Sequence, residues 1–237
     1  MRLEDELKLR ELSPIEQVFD EPRSYWLKRV PKSQQTTHIV EYVLENDGMA
    51  LEHVSKKLIT DEICQIAVRE NGLALRCVPD ALITKELCEM AVYENGLAFE
   101  YVPEKMRTPS LVNMAIRFYY FTDYWRISRE ERNEIIEKAK IKGRELDAYT
   151  RYPIAYVPSK FINEKILMDA VRYSPHSLRD IPKELLTKEI ILNAVSVDGT
   201  AIRYVQKNNV NKAMIQTALE SNPLALEYIS QRKITEK

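Results

Sequence analysis

The chain has 237 residues, of which 45% are hydrophobic and 30% are charged, and glycine occurs only 5 times. This composition is typical of an ordered helical protein and excludes the disordered and fibrous classes. With 35 basic and 36 acidic residues, the formal net charge is -1 at pH 7. The chain therefore has no global attraction toward nucleic acid or an anionic membrane.

The N-terminal segment, residues 1–29, is predicted to cap the rest of the fold. Residues 1–19 are charged and amphipathic, and Tyr25-Trp26-Leu27 has the phase of a repeat that follows. A terminal unit of a repeat protein must cover an exposed apolar face. The segment lacks the apolar region of a secretory signal, and no stretch approaches the roughly 20 apolar residues of a membrane span. A cytoplasmic location is expected.

A period of 24 residues runs through most of the remaining chain. Its clearest column contains alanine, at Ala67, Ala91, Ala115, Ala139, Ala170, Ala194 and Ala218. Every step along this column is 24 residues except the step of 31 between Ala139 and Ala170. A fixed period of this size indicates a stack of identical supersecondary units. We predict an all-α fold, an α-solenoid of about eight helix-pair repeats with a seven-residue insertion that breaks the fifth.

Each repeat is predicted to contain two short helices. The longer helix begins after a Thr or Asn whose side-chain oxygen accepts an N–H of the first turn. These capping residues are Thr36, Thr60, Thr84, Thr108, Asn163, Thr187, Asn211 and Thr235. The pair Asn71-Gly72 is expected to end one such helix because both residues tolerate a left-handed conformation. The alanine column predicts a close approach between helices that a larger side chain would block.

The repeats divide the chain into segments. Repeats one to four are assigned to residues 30–125, the irregular fifth repeat to 126–156, and repeats six to eight with a truncated final repeat to 157–237. The final repeat stops short of its long helix. Two interpretations are open: this end is less ordered, or its uncovered face is a homodimer contact. The expected state is therefore a monomer or a homodimer.

The cysteine and histidine residues are predicted to be structural. Cys64 and Cys88 share a column with aliphatic residues, which indicates two buried core groups. Cys77 lies in a column with tyrosines and is expected to be semi-buried between repeats. The odd number of cysteines argues against a disulfide framework. The histidines have no metal-ligand spacing, so neither a metal nor a cofactor is expected.

The fifth repeat departs from the pattern at a block of aromatic residues. Residues 118–125 read Phe-Tyr-Tyr-Phe-Thr-Asp-Tyr-Trp, and arginines follow. Aromatic residues and Arg are enriched in binding hot spots. The candidate partner-binding residues are Tyr119, Tyr120, Tyr124, Trp125, Arg126, Arg129, Arg132, Tyr149, Arg151 and Tyr152. The alternative is that these aromatic side chains fill the interrupted stack and seal its two halves against each other.

Residues 84–101 carry a resemblance to a known family. They combine an acidic helix start, an Ala-Val pair, an Asn-Gly stop and a short apolar segment that ends in Tyr. This unit resembles a short helical repeat of bacterial, phage and intracellular-pathogen proteins that is classified as a domain of unknown function. The resemblance covers about residues 30–229 and is weakest in the fifth repeat; a more distant one links the chain to leucine-rich variant repeats. It brings no catalytic residues and implies an interaction module, such as an effector or a phage-encoded protein that binds a host factor.

These observations favour a non-enzymatic scaffold, effector or inhibitor that binds another protein through a solenoid face or through the aromatic break. The first alternative is a nucleic-acid-binding solenoid whose arginines meet phosphates. Those arginines, in two columns, are Arg69, Arg117, Arg172, Arg76, Arg179 and Arg203. The same columns contain glutamates, which indicates solvated faces. The second alternative is an enzyme with a site between repeats, which is not expected because phosphate-loop, nucleophile-elbow and zinc-protease motifs are absent from the sequence.

Overall fold

The computed structural model of the protein describes residues 24–118 and 152–230. The chain forms two compact units, Met1–Phe118 and Tyr119–Lys237. Within the described residues the regular structure consists of α-helices and 3₁₀ helices, with no β-strand. The all-α class is therefore confirmed. The predicted fifth repeat, residues 126–156, lies outside the described residues except for its last five positions, and the predicted segment boundaries stay predictions.

The first unit alternates α-helices with 3₁₀ helices. Its α-helices are α1 (Ser24–Arg29), α2 (Thr37–Leu44), α3 (Asp61–Glu70), α4 (Lys85–Glu94) and α5 (Pro109–Phe118). A six-residue 3₁₀ helix follows each of α2, α3 and α4, at Gly48–His53, Gly72–Cys77 and Gly96–Tyr101. A three-residue 3₁₀ helix then precedes the next α-helix, at Lys56–Leu58, Asp80–Leu82 and Glu104–Met106.

The second unit repeats this order. Its α-helices are α6 (Glu164–Tyr173), α7 (Lys188–Val197), α8 (Lys212–Ser221) and α9 (Ala225–Ser230). The longer 3₁₀ helices are Pro153–Tyr156, Pro175–Arg179 and Gly199–Tyr204, and the shorter ones are Ser159–Phe161, Lys183–Leu185 and Lys207–Asn209. None of the helices within residues 24–118 and 152–230 is long and apolar enough to cross a lipid bilayer.

The predicted N-caps are confirmed at every described position. In α3, Thr60 is extended and its hydroxyl accepts the Ile63 N–H at 3.4 Å. In α8, the Asn211 side chain accepts the Met214 N–H at 2.9 Å. The same contact is made by Thr36, Thr84, Thr108, Asn163 and Thr187. The column therefore fixes where helices α2 to α8 begin, while Thr235 lies outside the described residues.

The predicted left-handed helix stop is wrong. Asn71 is extended, with φ -146° and ψ 109°, and Gly72 also lies outside the left-handed region. Asn71 instead joins two helices: its N–H donates to the Ala67 carbonyl at 2.9 Å, and its side chain accepts the Leu73 N–H at 3.0 Å. The residue closes α3 and opens the 3₁₀ helix, so no turn with positive φ is needed.

The glycine column is explained by close packing between repeats. A Cβ on Gly72 would collide with the carbonyl oxygen of Ala91, and it would lie 3.0 Å from the Asn95 nitrogen. Gly48 meets Ala67 in the same way, one repeat earlier. The alanine column is thus the surface against which the preceding 3₁₀ helix packs, and the predicted close approach is confirmed at these positions.

The second helix of each repeat is a 3₁₀ helix rather than an α-helix. In Gly72–Cys77 the bonds run from residue i to i+3, as in the Ala74 N–H to the Asn71 carbonyl at 2.8 Å. Only six residues separate the Asn71 cap from the extended Val78-Pro79 pair. This length suits a 3₁₀ helix. Its backbone hydrogen bonds span three residues instead of the four of an α-helix, and 3₁₀ helices are usually short.

The core of each unit is built from columns that recur in successive repeats. In the second repeat Cys64, Ala67 and Val68 of α3 are buried together with Ala74 and Leu75 of the 3₁₀ helix. Helix α3 packs between α2 and α4, and Gly72–Cys77 packs between the equivalent 3₁₀ helices. The buried positions of Cys64 and Cys88 confirm the structural role predicted for them.

The first and last described helices depart from the internal pattern. Helix α1 stands one period before Gly48–His53 and packs against it, which confirms the phase predicted for Tyr25-Trp26-Leu27. Both α1 and α9 are α-helical where internal repeats have a 3₁₀ helix. Leu224, just before α9, and Leu226, within it, are exposed. The predicted dimer contact at this end stays a prediction.

Candidate functional site

The predicted partner-binding residues lie almost entirely outside the described part of the chain. These are Tyr119, Tyr120, Tyr124, Trp125, Arg126, Arg129, Arg132, Tyr149 and Arg151. Tyr152 is the member of the set whose position is described, and its side chain is buried. The choice between a binding site and a packing seal therefore rests on residues beyond the described ranges.

Tyr152 introduces a cluster of Arg and Tyr side chains in the second unit. Its N–H donates to the Asp180 carboxylate at 2.6 Å, and its ring lies 5.3 Å from the guanidinium carbon of Arg179. Arg179 also pairs with Asp180, with 3.3 Å between Nε and Oδ1. One carboxylate thus fixes both the backbone before Pro153 and the guanidinium that stacks on the ring.

A second arginine is held between two tyrosines one repeat further on. The guanidinium carbon of Arg203 lies 4.7 Å from the ring centre of Tyr204 and 5.4 Å from that of Tyr228. Its Nη1 donates to the Tyr228 hydroxyl at 3.3 Å, and its Nη2 donates to the Tyr204 hydroxyl. Rings and hydroxyls together hold the side chain of Arg203 in one orientation.

We refer to Tyr152, Arg179, Arg203, Tyr204 and Tyr228 as the Arg–Tyr strip. The two arginines occupy one column of the repeat, 24 residues apart, and Tyr204 and Tyr228 occupy the next column. All except Tyr152 are partly exposed. Because adjacent repeats place the same column side by side, the strip follows the direction in which the repeats stack.

The strip combines guanidinium groups with the Tyr204 phenol, which is neutral at pH 7. Burial raises the pKa of Tyr204, and the nearby guanidinium groups of Arg203 and Arg179 oppose this shift without cancelling it. Partial burial opposes the charge on Arg179, but Asp180, Tyr204 and Tyr152 together outweigh it and raise the pKa of Arg179. The strip therefore carries positive charge that the Tyr204 phenol does not neutralise.

A polar network beside the strip connects three successive repeats. Asp198 accepts hydrogen bonds from the Thr200 backbone at 2.9 Å, the Thr200 hydroxyl at 2.8 Å and the Asn222 amide at 3.1 Å. Nε2 of His176 lies 3.3 Å from the Asp198 carboxylate. Burial alone would raise the pKa of Asp198, but the bonds from His176 and Thr200 outweigh it and hold this pKa well below its usual range.

The same network shows why His176, Asp198 and Thr200 do not form a nucleophilic triad. Nε2 of His176 lies 2.9 Å from the Thr200 hydroxyl, which itself donates to Asp198. The same ring nitrogen also lies 3.3 Å from the Asp198 carboxylate, so the hydroxyl and the carboxylate contact one nitrogen and not opposite sides of the ring. A catalytic triad needs the base to accept the hydroxyl proton while the carboxylate binds the other ring nitrogen. The arrangement instead joins neighbouring repeats, and the His176 ring also packs edge-on to Tyr204 at 5.7 Å.

The equivalent columns of the first unit have different chemistry. Arg76 lies 3.6 Å from the carboxylate of Glu52 in the preceding repeat, and both side chains are about half exposed, at 46% and 58%. The tyrosine column contains His53 and Cys77 in these two repeats and Tyr101 in the next, and Tyr101 interacts with Arg76. Arg76 thus combines an exposed ion pair with one tyrosine contact, whereas Arg203 lies against two tyrosine rings.

The repeat pattern places these arginines and tyrosines in columns but does not predict the strip. The arginine column by itself suggests phosphate contacts or solvated faces, and the tyrosine column suggests a semi-buried position between repeats for Cys77. Within residues 24–118 and 152–230, no group of three or more His, Cys, Asp or Glu side chains could hold a metal ion.

One family model matches a segment in each of the two units. Residues 38–83 and 163–208 match the family model described as "Domain of unknown function (DUF4116)". One matched segment lies in each unit, and each covers almost two periods of the repeat. The predicted resemblance to a helical repeat of unknown function is thus confirmed in these segments. No curated protein and no solved structure gives a significant match to the chain.

Proposed function

We propose that the protein is a non-enzymatic interaction module that binds another protein through the outer surface of its helical repeats. The observation that carries this proposal is the orientation of Arg203 between Tyr204 and Tyr228. Tyr and Arg are the residue types most often found at binding hot spots. A side chain that is already ordered loses less conformational entropy when a partner binds.

The repeat architecture supports the same proposal. The alanine, glycine and aliphatic columns pack against other residues of the stack, as the buried Ala67 and Leu75 and the close contact at Gly72 show. Differences between repeats are therefore concentrated in the outward columns. Stacked repeats present such columns as an extended surface, which is how solenoid proteins bind their partners. The contrast between Arg76 with Glu52 and Arg203 with its tyrosines is a difference of this kind.

The proposal also covers the location, the role and the source of the protein. We propose a cytoplasmic scaffold, effector or inhibitor, encoded by a bacterium or a phage, since the resemblance to repeats from such sources supports that setting. The partner is proposed to be a protein rather than a small substrate.

The proposal is tested by affinity capture with paired baits. The intact chain, its Arg203→Ala variant and its Arg76→Ala variant are immobilised at equal density, and circular dichroism verifies that each is folded. We expect a protein captured by the intact chain and by Arg76→Ala to be lost from Arg203→Ala. Arg76 is the matched control because it occupies the same column in the first unit. A protein captured equally by all three baits would show that the strip is not the binding surface.

Nucleic-acid binding is the alternative that the arginine columns suggest. The structure gives it less support, because Arg76 pairs with Glu52 and Arg179 pairs with Asp180 within the chain. Phosphate binding should instead produce an affinity that falls steeply with salt. A mobility-shift titration with duplex and single-stranded DNA and RNA at two salt concentrations distinguishes the readings: a salt-dependent shift lost in Arg203→Ala would favour the alternative.

A further inference from the structure

We infer that the apolar face of α8 and α9, in the last described repeat, binds the same face of a second copy of this chain in a two-fold symmetric contact. We refer to Ile215, Leu219 and Leu226 as the end face. The inference does not rest on the proposed function, because it concerns a surface for stacking repeats and not their outward columns.

Leu226 shows that a stacking column is uncovered at α9. Its side chain is 58% exposed, whereas Ile202, at the same position one repeat earlier, is 1% exposed. The other described members of this column are also buried, and they are Leu27, Leu51, Leu75, Phe99, Ile154 and Leu178. A position that is buried in every earlier described repeat thus becomes exposed to solvent in the last one.

The two columns of α8 that accompany Leu226 behave in the same way. Ile215 and Leu219 are partly exposed, while Ile191 and Val195, one repeat earlier, are buried. In helices α2 to α7 both columns are buried in every case. The end face is therefore a set of core positions that lack the cover found over the earlier repeats.

The preceding repeat shows what kind of surface covers these positions. Val195 and Ile202 lie in one core cluster with residues of α8 and α9, which are Ala218, Ala225 and Ile229. Two helices that present small and aliphatic side chains therefore cover this face one repeat earlier. Since α8 and α9 carry the same columns as the repeats before them, the end face continues the interface between repeats and suits a helical apolar surface.

The composition of the residues after α9 does not match such a cover. Residues 231–237 lie outside the described ranges and contain one apolar residue, Ile234, among charged and polar ones. The cover over Ile202 consists of several apolar side chains from two helices. These seven residues therefore do not supply it.

The first unit argues for a two-fold contact rather than a head-to-tail one. A head-to-tail contact would need an uncovered stacking column at the first repeats as well. The apolar core residues of α1 and α2 with described burial are all buried, and they are Leu27, Ile39, Val40, Val43 and Leu44. In an isologous contact the same patch serves both copies, and the assembly closes at two chains. The end face of a second copy provides apolar side chains on the same pair of helices.

The size of the end face sets the strength expected of the contact. Glu220 and Glu227 follow Leu219 and Leu226 in the chain and are exposed, so polar groups border the apolar centre, as is usual in interfaces. A standard interface contributes roughly 20 to 30 residues from each partner. The end face has three apolar residues in each copy, and we therefore expect a weak dimer that dissociates on dilution.

Sedimentation velocity of the intact chain tests the inference at protein concentrations from about 1 to about 300 µM. We expect the average mass to rise with concentration from 27.7 kDa toward twice that value. Leu226→Glu places a charge in the contact and should raise the dimer dissociation constant about tenfold or more. Leu226→Ala keeps the face neutral but smaller and should raise it several-fold.

Leu192→Glu is the matched control. Leu192 is an exposed leucine of α7, at 41%, and lies outside the three end-face columns, so its substitution should leave the dissociation constant unchanged. Because Leu226 and Leu192 are both exposed in one chain, the variants should stay folded, and circular dichroism verifies this.

Three results would overturn the inference. A folded chain that stays at 27.7 kDa at every concentration has no contact between copies. A mass that grows beyond two chains indicates a head-to-tail assembly. A dimer that resists Leu226→Glu, or that Leu192→Glu weakens equally, uses another surface. None of these results bears on the capture experiment with Arg203→Ala, so the proposed function is judged separately.

Discussion

Substitution of Gly72 by Ala tests the account of how the repeats pack. The added Cβ would collide with the Ala91 carbonyl oxygen and approach the Asn95 nitrogen to 3.0 Å. Both obstacles are backbone atoms of the next repeat, so a side-chain rotation cannot relieve them. The backbone of Gly72 lies outside the left-handed region, which means that Ala meets no conformational barrier there. The destabilisation therefore arises from the close contact and not from an unfavourable backbone conformation.

The expected loss follows from three contributions. Overpacking of a tight contact costs about 1 to 3 kcal/mol. Displacement of the Ala91 carbonyl weakens its bond from the Asn95 N–H, which is 2.9 Å long and is worth about 1 kcal/mol. Replacing Gly by Ala lowers the entropy of the unfolded chain and returns roughly 0.5 to 1 kcal/mol. The net expectation is a loss of about 2 kcal/mol in the free energy of unfolding.

Thermal and urea denaturation followed by circular dichroism measures this loss. A change of about 2 kcal/mol lowers Tm by roughly 4 to 8 °C for a chain of this length. Gly199→Ala should lose more, because its Cβ would also approach the Ala218 carbonyl carbon to 2.7 Å. Ala81→Gly, at an exposed position, is the control and should cost no more than about 1 kcal/mol. A Gly72→Ala variant that melts at or above the parent temperature would refute the close-approach reasoning.

Three further predictions concern the caps, the polar network and the thiols. Thr60→Ala should lower the free energy of unfolding by about 1 kcal/mol, while Thr60→Ser should retain most of it, as measured in urea; equal losses would contradict a capping role. Because the folded pKa of Asp198 is lowered, its contribution to stability is present above its unfolded pKa near 4 and is lost as the pH falls. The stability difference between the parent and Asp198→Asn should therefore be larger at pH 7 than at pH 3, and a constant difference would argue against the network. Burial raises the pKa of the Cys64 and Cys88 thiols to about 11, so iodoacetamide at pH 8 should modify Cys77 first in mass spectra of the native protein.

Prediction from sequence succeeded where a property depends on the place of a residue within its own repeat. Thr60 and Asn211 cap helices because a polar side chain can reach the N–H three residues later, whatever the rest of the chain does. Cys64 is buried because its column is apolar in the other repeats. Such local patterns are visible because the same position can be compared in many repeats.

Prediction failed where two different structural requirements, a left-handed turn and a close packing contact, favour the same pair of residues. The Asn71-Gly72 pair is typical of a left-handed helix stop, yet here Asn71 is extended and Gly72 makes room for the next repeat. Both interpretations favour glycine at this position. The choice between them depends on the distance to Ala91, which lies 19 positions away and is set by stacking.

The sequence by itself determined the all-α class, the 24-residue period, the helix starts and the buried columns, because each follows from short-range spacing repeated along the chain. Tertiary structure alone decided that the second helix is a 3₁₀ helix, that glycine marks a contact between repeats, and that Arg203 lies between Tyr204 and Tyr228. Tyr228 is 25 positions from Arg203 and reaches it only after one repeat has packed on the next. The strip arises from that packing, which no single repeat contains.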